Sequence, residues 1–149
     1  MSTTMTREER EAFLSGVHVG VLSIHEEGRG PLTAPVWYAY EPGGEVQIVT
    51  ERDSRKGKLL KEGMRVSLCA QDEAAPYKYA SVEGPVVRIE PSDVERNERV
   101  LAHRYLGPEA GDRYIASASE GRDDDLMILV RIRPERWLTA DYSKEDVGL

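Results

Sequence analysis

The sequence predicts a mainly β fold, an antiparallel barrel or sandwich with helices packed against its outside. Three observations carry that reading. Runs rich in β-branched and aromatic residues recur along the chain, glycine-containing turns separate them, and the links are short with no regular βαβ alternation. At 149 residues the chain has room for one sizeable core and reads as one domain, 1–149.

The first element is a helix. In TREEREAFLSG, residues 6–16, Thr6 and Glu9 have capping-box spacing, in which each side chain satisfies a free backbone N–H of the first turn, and Gly16 supplies the stop. The pattern then changes period. VHVGVLSIH, LTAPVWYAY and VQIVT, separated by GRG and EPGGE, read as a meander of antiparallel strands. SRKGKLLKEG reads as a short helix, and RVSLCAQ, YKYASVEGPVVRIE, LMILVRIR and RWLTADY as further strands. Between them, SDVERNERVLAHRYLG carries a second capping-box pair, Ser92 and Glu95, and sets Val94, Leu101 and Tyr105 on one helical face. The polar C-terminus, about 143–149, is expected to fray.

Charge and motif content exclude several functions. The net charge of −7 argues against nonspecific binding to nucleic acid or to an anionic membrane. Cys69 is the one cysteine, so neither an internal disulfide nor a cysteine metal cage can form, which suits a reducing cytoplasm. The charged N-terminus lacks a signal peptide's apolar core, and no run approaches the roughly 20 apolar residues of a membrane span, so a soluble cytoplasmic protein is expected. His18, His25 and His103 have no metal-site spacing, and no nucleophile, zinc or nucleotide motif is present. Chemistry here would have to draw on a borrowed cofactor.

One stretch runs against the overall charge. TERDSRKGKLL, residues 50–60, holds Arg52, Arg55, Lys56 and Lys58, and from 52 to 65 six basic residues stand against two acidic ones. Ser54 is placed to cap the following helix, whose free N–H groups and basic side chains would suit a phosphate; a solvated basic face is the alternative. Pro35 cannot donate a ladder hydrogen bond, so LTAPVWYAY should contain a sheet edge or bulge where backbone groups are free.

TERDSRKGKLL, together with GPLTAPVWYAY before it and RVSLC and VEGPV after it, resembles the pyridoxamine 5′-phosphate oxidase-like superfamily, over roughly residues 15 to 140. The resemblance implies an antiparallel split β-barrel of the FMN-binding type, and a homodimer with two cofactor sites at the subunit interface. It implies that Arg55 and Lys56 contact phosphate with Ser54 and Lys58 nearby, that Thr50 and Glu51 approach the cofactor, and that Pro35, Val36 and Trp37 lie against the ring. Tyr77, Lys78 and Tyr79 are candidates to reach the partner's cofactor, with Tyr79 a possible proton source, and Trp137 to cover the ring. Exposed aromatics such as Tyr38 and Tyr40 are expected to support the dimer. The chain stops soon after RWLTADYSKE, which turns the expectation away from pyridoxamine phosphate as substrate. APVWY and VEGPV resemble the branch that uses the deazaflavin coenzyme F420, implying hydride transfer to or from a small organic molecule. FMN in place of F420, and a noncatalytic module holding a flavin or a haem, are the alternatives.

Overall fold

The computed structural model describes residues 2–145. Helix α1, Arg7–Ser15, starts at the capping box: Thr6 Oγ1 accepts from the Glu9 N–H at 3.2 Å, and the Glu9 carboxylate accepts from the Thr6 N–H at 2.8 Å. Eight antiparallel strands follow, β1 Gly20–Ile24, β2 Leu32–Val36, β3 Tyr38–Ala39, β4 Val46–Glu51, β5 Arg65–Asp72, β6 Lys78–Pro91, β7 Met127–Ile132 and β8 Arg136–Asp141. They form one sheet in the order β2-β1-β5-β6-β7-β4-β3, with β8 also on β6. β2 and β3 are adjacent in sequence yet end the two sides of that path, so the sheet must curl back on itself. This is an antiparallel split β-barrel with helices outside.

The core follows from period-2 alternation. Leu22, Ile24, Ile48, Leu68, Val82, Val86, Val130 and Ile132 all point inward and are buried, each stabilising the fold by about 1.5–3 kcal/mol. The same alternation sends Tyr38 and Tyr40 inward at 0% and 5% exposure. Both belong to the core, so the exposed aromatic pair expected at a dimer surface does not exist. The Tyr38 hydroxyl donates to the Leu14 carbonyl at 2.6 Å, which ties α1 to the barrel.

β6 holds the two halves together. Its first half lies between β5 and β8 and its second runs against β7, with a bulge between Val86 and Arg88. At the handover sits Gly84, where a Cβ would fall 1.6 Å from the Arg133 carbonyl oxygen. Only a residue without a side chain lets the β7–β8 connection cross there.

The helices of the second half differ from the expected single one. Asp93, rather than Ser92, caps the segment, its carboxylate accepting from the Arg96 N–H at 2.7 Å. A π-helical turn, Val94–Glu98, then runs into α3, Arg99–Leu106, and after Gly107 a further helix follows, α4, Pro108–Ser119. At the C-terminus, the Asp141 N–H donates to the Thr3 carbonyl at 2.7 Å and Lys144 Nζ reaches the Glu9 carboxylate at 2.6 Å. The expected frayed tail is thus held through Glu145, and 146–149 lie outside the described residues. No helix among the described residues is long and apolar enough to cross a membrane.

Candidate functional site

The site begins at the break between β2 and β3. β2 is the terminal strand of the path, where a proline costs no ladder hydrogen bond, and Pro35 pairs there with Val21 of β1. At Trp37 the ladder stops. Tyr105 of α3 replaces it: its hydroxyl accepts from the Tyr38 N–H at 3.0 Å and donates to the His18 carbonyl at 2.6 Å. The Trp37 ring stacks on Tyr105 at 5.1 Å and 6° and meets Tyr114 of α4 at 5.5 Å and 54°. Such aromatic contacts hold a large ring in one orientation.

Against this corner lies a cleft of about 350 Å³. Pro35, Val36 and Trp37 form one wall, Val49, Thr50 and Glu51 of β4 another, Leu101, Tyr114 and Ala118 the helical side, and Leu126 and Met127 at the start of β7 close it. Its remaining lining is polar: Lys56 at the start of the short helix α2, Arg55–Leu59, and the pair Glu98 and Arg122. The Arg122 guanidinium donates to the Glu98 carboxylate, whose other oxygen accepts from the Ser92 hydroxyl at 2.9 Å. The two side chains are only 14% and 7% exposed.

The basic stretch divides on folding. Arg52 pairs with Asp53 and with Asp125 at 2.7 Å, Arg55 pairs with Glu26, and Arg65 pairs with Glu135 at 2.8 Å and with Glu83. The Arg52 guanidinium holds the Asp53 carboxyl below the usual carboxylate range. Lys56, Lys58 and Lys61 make no ion pair among the described residues, and only Lys56 lines the cleft. Ser54 caps α2 as expected, accepting from the Gly57 N–H at 3.0 Å and donating to the Glu51 carbonyl at 2.7 Å, while Thr50 Oγ1 lies 3.3 Å from it. Its hydroxyl is therefore spent on positioning Lys56.

Of the residues singled out in the sequence, Pro35, Val36, Trp37, Thr50, Glu51 and Lys56 converge on this cleft. Arg55 faces Glu26, and Lys58 is exposed. Trp137 lies elsewhere, edge-on to Tyr40 and beneath the Arg10 guanidinium at 4.8 Å, in the wall of a second cavity of about 400 Å³. Lys78 and Tyr79 open β6 directly after Tyr77, and none of the three lines either cavity. Cys69 sits mid-sheet on β5, where burial pushes its thiol up and away from thiolate chemistry. The sequence pattern does not single out Glu98, Tyr114 or Arg122: Glu98 ends a π-helical turn that the pattern merges with α3, Tyr114 lies on α4, and Arg122 follows that helix; the Gly-Pro at 107–108, which favours a helix start, is the available signal for α4.

The family described as pyridoxamine 5′-phosphate oxidase matches residues 6–141. A conserved hypothetical protein from Mycobacterium tuberculosis is similar in structure, with a TM-score of 0.75 and 25% identity over 99% of this chain and 91% of that one. So are an F420 reductase, with a TM-score of 0.66 and 21% identity over 86% and 94%, and a FAD and haem binding protein from Mycobacterium smegmatis, with 0.64 and 15% over 93% and 72%. No curated protein matched the sequence.

Proposed function

The chain belongs to the pyridoxamine 5′-phosphate oxidase family, and from that premise we propose that it is an oxidoreductase holding a flavin-type cofactor in the Trp37 cleft, with the deazaflavin F420 as the cofactor. The observation that carries this reading is a single cleft that joins an aromatic and aliphatic wall to one unpaired cation, Lys56. Its volume lies at the small end of small-molecule sites, which run from roughly 300 to 1,000 Å³. That suits a planar ring more than a whole coenzyme. The F420 reductase among the similar structures supports the deazaflavin, and the FAD-binding one supports FMN or FAD as the second reading.

Bound there, such a cofactor supplies a two-electron hydride carrier that no protein side chain provides. The residues of this chain bind and orient. Lys56, set by the Ser54 cap, holds a phosphate; Val36 and Trp37, fixed by Tyr105, set the plane of the ring; Leu101 and Met127 keep water from one side.

A second copy of the chain completes the pocket in this reading. Pro35, Val21, Cys69, Ser81 and Leu138 lie side by side across β2, β1, β5, β6 and β8. Val21 is 40% exposed and Leu138 66%. This outward row starts at Pro35, a wall of the cleft, so a partner seated on it would border the same cavity. Tyr79, two residues from Ser81 on the same face, would then point toward the partner.

The test is a paired titration of apo protein with F420 and FMN, followed by fluorescence quenching. Tight F420 binding with weak FMN binding is the expected result. The reverse preference would make this a flavin protein, and binding of neither would overturn the assignment.

A further inference from the structure

The buried Glu98–Arg122 pair has no role in the phosphate and ring contacts above, yet it lines the same cleft. Building on the reading that this cleft takes a flavin-type ring, we propose that the pair recognises the imide edge of that ring. Flavins and deazaflavins share this edge, an N–H flanked by two carbonyl groups. The Glu98 carboxylate accepts from the imide N–H, and the Arg122 guanidinium donates to a flanking carbonyl oxygen.

Charge selects this class of ligand over an anion. Glu98 and Arg122 cancel each other, so a phosphate or carboxylate drawn to Arg122 would meet the Glu98 charge beside it. A neutral edge carrying both a donor and acceptors matches a carboxylate next to a guanidinium without leaving either unpaired. Hydrogen-bonding capacity is also left over. Each Glu98 oxygen accepts one bond, from Arg122 or from Ser92, and has a lone pair to spare. Arg122 spends one nitrogen on Glu98 and another on the Ala118 carbonyl at 3.3 Å, and its Nε makes no hydrogen bond among the described residues.

Placement points the same way. Glu98 closes a π-helical turn, a rare geometry that recurs at functional sites. Taking two charges out of water is costly, and an ion pair kept only for packing has no need to border an open cleft. Ser92, freed from helix capping by Asp93, orients the carboxylate instead.

The experiment compares ligands on the wild-type apo protein: FMN, F420 and the 3-methyl derivative of each, in which a methyl group replaces the imide hydrogen. Methylation is expected to weaken binding about tenfold or more, the size of a lost hydrogen bond to a charged group. In Glu98→Gln, whose neutral amide oxygen is a poorer acceptor, the penalty is expected to shrink to about threefold. Equal binding of parent and methylated ligands overturns the inference and leaves the flavin reading standing, as does a full penalty persisting in a folded Glu98→Gln protein. Failure of both parent ligands to bind overturns the two together. Should Glu98→Gln not fold, the wild-type ligand comparison decides alone.

Discussion

Lys56 and Arg55 are neighbours with the same formal charge, and their surroundings give them different work. Glu26 faces the Arg55 guanidinium, so most of that charge is answered within the protein. Lys56 lines the cleft without an ion-pair partner among the described residues. Replacing Lys56 by alanine should weaken cofactor binding roughly 10- to 100-fold, since a charge-assisted contact to phosphate is lost. Arg55→Ala should stay within about threefold of wild type, because Glu26 already engages that guanidinium and Arg55 lies outside the cleft lining. Titration of both variants with the cofactor that the wild type prefers checks this; equal losses would return Arg55 to the phosphate. Composition revealed that the segment is basic, but not which charges are free. Asp125, Glu26 and Glu135 answer Arg52, Arg55 and Arg65 from 29 or more residues away, and nothing local in residues 52–65 encodes that division.

Elements whose pattern is local were legible. β1, β4 and β5 alternate buried and more exposed residues, and α1 and α2 start where Thr6 and Ser54 cap them. The α3–α4 pair was not, because α4 is rich in alanine and serine and buries little more than Gly111 and Ile115. Gly57 lets α2 lie on the β4 connection: a Cβ there would fall 2.2 Å from the Glu51 carbonyl oxygen and 2.6 Å from that of Arg52. Gly57→Ala should therefore cost about 1–3 kcal/mol in denaturant unfolding and displace Lys56; unchanged stability and cofactor affinity would show that α2 can shift freely. At the other end of the chain, the Lys144 ammonium, with the Thr6 N–H, lowers the Glu9 carboxyl from 4.5 to about 2. A carboxyl lowered by folding stabilises above its unfolded pKa, and that contribution disappears as pH falls through the folded one. Wild type should melt higher than Glu9→Gln above about pH 4.5, and the gap should close toward pH 2. A gap independent of pH would remove the ion pair as its cause.

The barrel is legible in the sequence, whereas its exposed apolar surface is not. Tyr38 and Tyr40 turn into the core, and the exposed row lies across another part of the sheet, where Val21 and Leu138 are brought into one line, with Cys69 and Ser81 between them, only through the β1-β5-β6-β8 pairing. Strand order is a long-range property, so no stretch of sequence displays that row. A dimer formed on it would be driven by apolar burial against the repulsion of two chains each carrying −7. Added salt should therefore tighten it, whereas a charge-paired interface would loosen. Leu138→Lys places a like charge from each copy in the interface while pointing outward from the core, so the folded protomer should keep its circular dichroism and thermal unfolding. Sedimentation velocity at micromolar concentration should show dimer for wild type and monomer for Leu138→Lys. Because the row begins at Pro35 in the wall of the cleft, the monomer should also bind cofactor more weakly, although the substitution lies four strands away from that wall. A wild-type protein that sediments as a monomer would remove the second copy from the site. A dimer unaffected by Leu138→Lys would move the interface to another face of the barrel.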